Sequence, residues 1–201
     1  TTEIYTLSLH DALPICFGGV VFLLLLVALV IAIVVTYNKL VGLRQRSEEA
    51  WSDIDVQLKR RTDLVPNLVE TVKGYATHER GTLDQVIRAR GAAVSAQTPE
   101  ARAQAENQLT GALRQLFALA ESYPDLKANQ GFRELQASLT SIEETIQSSR
   151  RYYNAVVRDL NTTIDSFPSN QIALFFRFAK RTYFELERPE DRQVPRVAFG
   201  S

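Results

Sequence analysis

The residues able to do chemistry are few and poorly grouped. A hydrolase needs a nucleophile, a base and a group to orient the base. The chain has one Cys, Cys16, and two His, His10 and His78. His78-Glu79 has the makings of an acid/base pair, but the pattern places it on a helix beside Arg80, as part of a solvated polar face. The metalloprotease string His-Glu-x-x-His and the phosphate loop Gly-x-x-x-x-Gly-Lys-Ser/Thr are both missing. Glu49 and Asp53, at i and i+4, share a helix face; Asp53 and Asp55 do not. A divalent cation there would need a third carboxylate from another helix, and the Glu-x-x-His element of di-iron bundles is absent. No catalytic residue, cofactor or metal ligand is therefore assigned, and no enzymatic activity or small-molecule substrate is expected.

The remaining candidates are surfaces. Lys59-Arg60-Arg61 is the sharpest charge run. On a straight helix it lies about 30 Å beyond the apolar segment described below, which favours a protein partner over lipid; the plain alternative is a solvated face. Trp51 fits either the flank of a bundle or an exposed anchor. Trp51, Lys59, Arg60 and Arg61 are thus one possible partner surface. Arg150-Arg151-Tyr152-Tyr153 reads as a seam residue flanked by surface. On a helical wheel over residues 172–184, Ile172, Phe175, Phe176, Ala179 and Tyr183 gather on one side, and Arg177, Lys180 and Arg181 on the other. Phe175, Phe176, Arg177, Lys180 and Arg181 are therefore a possible membrane or bundle contact, with docking on the bundle preferred. Lys and Arg total 23 and Asp and Glu 23, so no basic excess supports nucleic-acid binding.

The elements that must position these residues divide sharply. Residues 12–38 carry no charge, and residues 20–35 are unbroken apolar sequence. Residues 16–38 are long enough to cross hydrocarbon as a helix. All Lys and Arg follow it, beginning with Lys39, Arg44 and Arg46. That asymmetry predicts an N-terminus outside and a cytoplasmic body, joined by a single membrane pass. One Cys excludes a disulfide framework. Residues 1–15 lack helix or strand periodicity and resemble translated sequencing-adapter read-through, so they are treated as a non-native or disordered tail.

Beyond Leu40 the fold class is all-α. Leu40, Leu43, Ala50, Ile54, Val65, Leu68, Val72, Tyr75, Val86 and Ala93 keep one a/d frame, with polar exceptions at Ser47, Gln57, Arg61 and Glu79. The frame passes Gly81 without a slip, and a kink or break is expected between Arg61 and Pro66. Thr98-Pro99-Glu100 starts a helix, and Tyr123-Pro124-Asp125 stops it. A last long helix runs from about Asn129 to Ser166, with Phe132, Leu135, Leu139, Ile142, Ile146, Tyr153, Val156 and Leu160 facing inward. Asn67 and Asn154 are placed to fix register inside the bundle. The expected architecture is one transmembrane helix followed by an antiparallel up-and-down bundle of three to four long helices over residues 39–166. A short amphipathic helix over 167–186 and a flexible tail over 187–201 complete it.

Several of these strings resemble the LemA family: Tyr37-Asn38-Lys39-Leu40-Val41, Glu49-Ala50-Trp51-Ser52-Asp53-Ile54, Asp63-Leu64-Val65-Pro66-Asn67-Leu68, Glu121-Ser122-Tyr123-Pro124-Asp125-Leu126, Arg151-Tyr152-Tyr153-Asn154 and Phe167-Pro168-Ser169-Asn170. They occur in order, and the likeness covers about residues 17–186. The resemblance implies an N-terminal span, a short outside tail, a cytoplasmic antiparallel helical bundle and no established reaction. It also hints at membrane quality control, since members are often encoded near membrane proteases. The resulting expectation is a membrane-tethered, non-enzymatic scaffold that forms homo-oligomers and binds an unidentified membrane or cytoplasmic protein. The alternative is an accessory regulator of a membrane protease or signalling enzyme.

Overall fold

The computed structural model describes residues 4–76 and 78–184, with side chains from residue 19 onward. Every regular element among them is a helix. They are α1 (Ile4–Lys73), α2 (Arg80–Ser95), α3 (Pro99–Ala120), α4 (Pro124–Ala128), α5 (Gln130–Asp165) and α6 (Ser169–Phe175). The expected tail over 187–201 lies outside the described residues. Helix α1 already begins at Ile4, so residues 4–15 are helical where no regular element was expected.

The helix boundaries follow local chemistry. Thr98 accepts a hydrogen bond from the Ala101 amide at 3.2 Å, and Pro99 opens α3; this is the anticipated cap. Asn129 Oδ1 accepts from the Phe132 amide at 2.9 Å and so caps α5. Pro124 starts the single turn of α4. The expected break near Pro66 does not occur, because α1 runs through it to Lys73. Pro66 lacks the amide that would reach the Thr62 carbonyl. Arg90 of α2 replaces it, donating Nε to Thr62 O at 2.7 Å. The orphaned acceptor is thereby satisfied from a neighbouring helix.

The real break comes after Lys73, where Gly74 and Tyr75 form a turn, and not at Pro66. Glycine is the poorest helix former after proline. The frame that passed Gly81 without a slip therefore spans two helices, α1 and α2. His78 and Glu79 lie in this connection rather than on a helix. Glu79 accepts from the Tyr123 hydroxyl at 3.1 Å, and Asn129 Nδ2 donates to the Tyr75 hydroxyl at 3.0 Å. Both bonds tie the α1–α2 connection to the segments around α4.

The chain divides into two compact units. Unit 1 comprises Thr1–Gln45 and Asp159–Lys180; unit 2 comprises Arg46–Arg158 and Arg181–Ser201. In unit 2, Val65, Leu68 and Val72 of α1, Leu83 and Val86 of α2, Leu109 and Leu116 of α3, and Phe132 and Leu139 of α5 share one core. A second cluster joins Ile54 and Leu58 to Ile146, Tyr153, Val157 and Phe184. Each such leucine contributes about 2 kcal/mol of burial, so the inward seams anticipated for α1 and α5 are what hold the helices together. Unit 1 packs Leu40 against Leu160 and Ala173, flanked by Leu43, Ile164, Ile172 and Phe178. The uncharged apolar stretch of α1 that precedes Leu40 is not buried in the fold.

Candidate functional site

Unit 2 contains a group of charges in its interior. Arg61 is 3 % exposed and Glu106 is 1 % exposed. Arg61 Nη1 lies 3.0 Å from Glu143 Oε2 and 3.5 Å from Glu106 Oε2, and Nη2 donates to Thr110 Oγ1 at 2.7 Å. Arg102 Nη2 pairs with Asp55 Oδ1 at 2.7 Å. Three carboxylates, Asp55, Glu106 and Glu143, thus meet two guanidiniums. Burial pushes the Glu106 carboxyl up to about 7, while Arg61 and Arg102 pull it down and Glu143 and Asp55 add to the rise. Below that value a proton on Glu106 leaves two carboxylates to face the two guanidiniums. The arrangement resembles no nucleophile–base–orienter set; its chemistry is mutual neutralisation of charge around the buried Arg61–Glu106 pair.

This corrects the reading of Lys59-Arg60-Arg61 as one surface. Lys59 and Arg60 are exposed, but Arg61 points inward, at the a/d position its spacing assigned. Arg60 borders an open groove between α1 and α5, with Asp63, Leu64, Ser138 and Ser141. Glu106 was missed. The signal was present in the steps of three and four that link Glu106, Leu109, Leu113 and Leu116, a stripe that is buried throughout. The candidate pair Glu49 and Asp53 is solvent-exposed.

Trp51 is likewise not a free surface anchor. It is half-buried, with ring centroids 5.5 Å from Tyr153 and 5.3 Å from Phe184. Phe184 is fully buried. Asn154 holds it by both backbone groups: Phe184 N donates to Asn154 Oδ1 at 2.9 Å, and Asn154 Nδ2 donates to Phe184 O at 3.1 Å. The Tyr153 hydroxyl donates to Thr182 O at 3.0 Å, and Arg181 pairs with Glu48 at 2.6 Å. Asn154 therefore fixes the position of a chain segment, as a register residue would, whereas Asn67 is exposed.

The amphipathic helix expected over 167–186 is much shorter. Helix α6 stops at Phe175, and residues 178–184 are not helical. Arg177 takes φ 57°. Its amide donates to Leu174 O at 3.2 Å, and the Phe178 amide donates to Ala173 O at 2.9 Å. This pair of bonds is a Schellman turn with arginine where glycine is usual. It ends the helix and turns the wheel pattern into two pieces with different fates. Residues 181–184 pack in unit 2, while α6 belongs to unit 1.

Within unit 1, α6 buries Ala173 and turns Leu174 and Phe175 outward, 77 % and 80 % exposed. The docking preferred for Phe175 and Phe176 is therefore corrected: neither is buried. Phe176 meets the Tyr37 ring at 4.7 Å and the Phe175 ring at 5.0 Å. Phe178 meets Tyr37 at 5.9 Å, and the Arg44 guanidinium lies 5.6 Å from the Phe178 ring. Lys180 pairs with Asp165 at 2.8 Å. Phe167, just before α6, is 83 % exposed.

Among the described residues, these features define an all-helical protein with one helix long and apolar enough to cross a membrane. The LemA family profile matches residues 50–199. The chain belongs to the LemA family. It is 24 % identical over 196 residues to magnetosome protein MamQ 1 of Paramagnetospirillum magneticum, covering 85 % of this chain and 72 % of that protein. It is 23 % identical over 190 residues to MamQ of Magnetospirillum gryphiswaldense, covering 82 % and 70 %. It is 28 % identical over 141 residues to protein LemA of Metamycoplasma hominis, covering 68 % and 63 %.

Proposed function

We propose that this chain is a single-pass, membrane-tethered interaction protein of a bacterial inner membrane, with its helical bundle on the cytoplasmic side and no reaction of its own. One observation carries the reading. The same helix, α1, bears the exposed apolar stretch and the buried seam of the bundle. A soluble protein gains nothing from so long an unpartnered apolar surface, whereas a bilayer covers it. The one-sided distribution of Lys39, Arg44 and Arg46 supports the orientation. Relatives that take their names from the magnetosome support a role within a larger assembly. Tethering also raises effective concentration, so weak contacts between copies suffice for a homo-oligomer.

The test is extraction of native membranes with alkaline carbonate, followed by crosslinking and mass spectrometry. The protein stays in the pellet, Ser148→Cys on a Cys16→Ser background resists a membrane-impermeant thiol reagent in whole cells, and the same neighbours recur among the crosslinks. Release into the carbonate supernatant would sink the tether, and ready labelling at Ser148 would reverse the orientation. The groove beside Arg60 favours a second reading, regulation of a membrane protease or signalling enzyme through that face. Stoichiometric copurification of one such enzyme, lost on Arg60→Glu, distinguishes it from a general scaffold.

A further inference from the structure

Helix α6 is built with its two sides reversed in status. Ile172 and Ala173 pack with Leu40, Leu160 and Phe178 and hold the helix in unit 1. Leu174, Phe175 and Phe176 face outward, and Phe167 is exposed just ahead of them. An exposed aromatic alone needs no explanation; four large apolar side chains within ten residues do. They also have a neighbour. Through Phe176 the group touches Tyr37, the aromatic that closes the uncharged stretch of α1. Tyrosine at the end of an apolar helix settles at headgroup level, and exposed phenylalanine beside it enters the acyl boundary.

The charge beside them fits the same surface. Arg177 follows Phe176 directly and is exposed. It occupies a left-handed backbone position where glycine would sit without strain. A strained arginine beside exposed aromatics points to a use for its cation. Lys39 is exposed two residues beyond Tyr37. Arg177 beside the outward aromatics, with Lys39 at the same end of the apolar stretch, matches an anionic lipid surface, whose phosphates meet the guanidinium while the rings enter the acyl boundary.

We propose that α6 and the turns on either side of it form a second membrane contact, in which Phe167, Leu174, Phe175 and Phe176 enter the interface of an anionic bilayer and Arg177 meets its headgroups. The proposal rests on the reading that the apolar stretch of α1 crosses that bilayer. The contact makes the end of α5 a membrane-bound point in addition to α1. The chain then meets lipid at two places far apart in sequence.

The full chain in phosphatidylglycerol-containing vesicles tests this, with single cysteines carrying an environment-sensitive fluorophore on a Cys16→Ser background. Labels at Leu174→Cys and Phe175→Cys should show blue-shifted emission and quenching by lipids carrying a nitroxide near the headgroup. A label at Val27→Cys should respond to a mid-chain nitroxide, and one at Ser148→Cys to neither. Adding Arg177→Gly should lessen the shift at 175 in anionic vesicles and leave it unaltered in zwitterionic ones. If Val27 is quenched but 174 and 175 are not, the second contact is overturned while the span stands. Loss of quenching at Val27 removes the span and this proposal together. A blue shift at 175 without lipid quenching means a second copy or another protein covers the face, and overturns it. An Arg177→Gly variant with unaltered emission overturns the headgroup role.

Discussion

The two units treat side chains in opposite ways. Unit 2 buries Arg61 and Glu106 and spends its polar contacts on its own interior, whereas unit 1 turns Leu174 and Phe175 out to solvent. Charge inside and aromatic surface outside both run against the usual distribution. In unit 2 each charge has a counter-charge within the fold, so the group explains itself as packing. In unit 1 the aromatic face has no such internal answer. An inverted residue that is partnered reports on architecture, and one that is not reports on what the molecule meets.

The comparison is broken most severely by Arg61→Ala. It leaves Glu106 and Glu143 without their shared cation and should cost about 3–5 kcal/mol in denaturant unfolding. Phe175→Ser, by contrast, should stay within about 0.5 kcal/mol of the parent chain. Equal losses at the two positions would erase the distinction. Replacing both Arg61 and Glu106 with Met and Leu should recover most of the first loss.

The acidity of Glu106 gives a second handle. Its folded value near 7 stands above the ordinary 4.5, so the folded chain holds the extra proton between those values. Stability should therefore fall as pH rises from about 4.5 through about 7, by about 3 kcal/mol in total. Glu106→Gln should flatten that slope. A slope that persists in the variant assigns the titration elsewhere.

Smaller effects sharpen the picture of α1. Arg90→Met leaves the Thr62 carbonyl without its side-chain donor and should cost about 1–3 kcal/mol. Pro66→Ala restores a backbone donor at that place, so a double-mutant cycle between the two should show coupling. Additive losses would mean that Arg90 acts through some other contact. The mildest change is Gly91→Ala. A Cβ there meets nothing within 4 Å, and mid-helix glycine costs about 0.5–1 kcal/mol relative to alanine, so melting should rise slightly.

The seams were legible because apolar spacing is a local property. Leu40, Ile54, Val65 and Leu68 lie on the buried face that their spacing assigned. Arg61 was legible in one sense and misread in another: the a/d frame placed it inward, while its neighbours Lys59 and Arg60 drew it into a surface run. Only the arrival of Glu106 and Glu143 from other helices decides between the two. The same holds for Pro66, whose tolerance depends on Arg90, 24 positions further along the chain. The amphipathic wheel over 172–184 failed for a different reason. It assumes continuous helix, and the Arg177 turn is a residue type that gives no warning of left-handed backbone.

Trp51 is the only tryptophan in the chain. Its indole between Tyr153 and Phe184 makes unit 2 its own optical reporter. Excitation of Tyr153 passes efficiently to an acceptor at 5.5 Å. Withdrawal of Phe184 would open one side of the indole to water. Detachment of the segment over 181–184 therefore registers as a red shift in native emission, and its reattachment as recovery, with no dye added and no residue replaced.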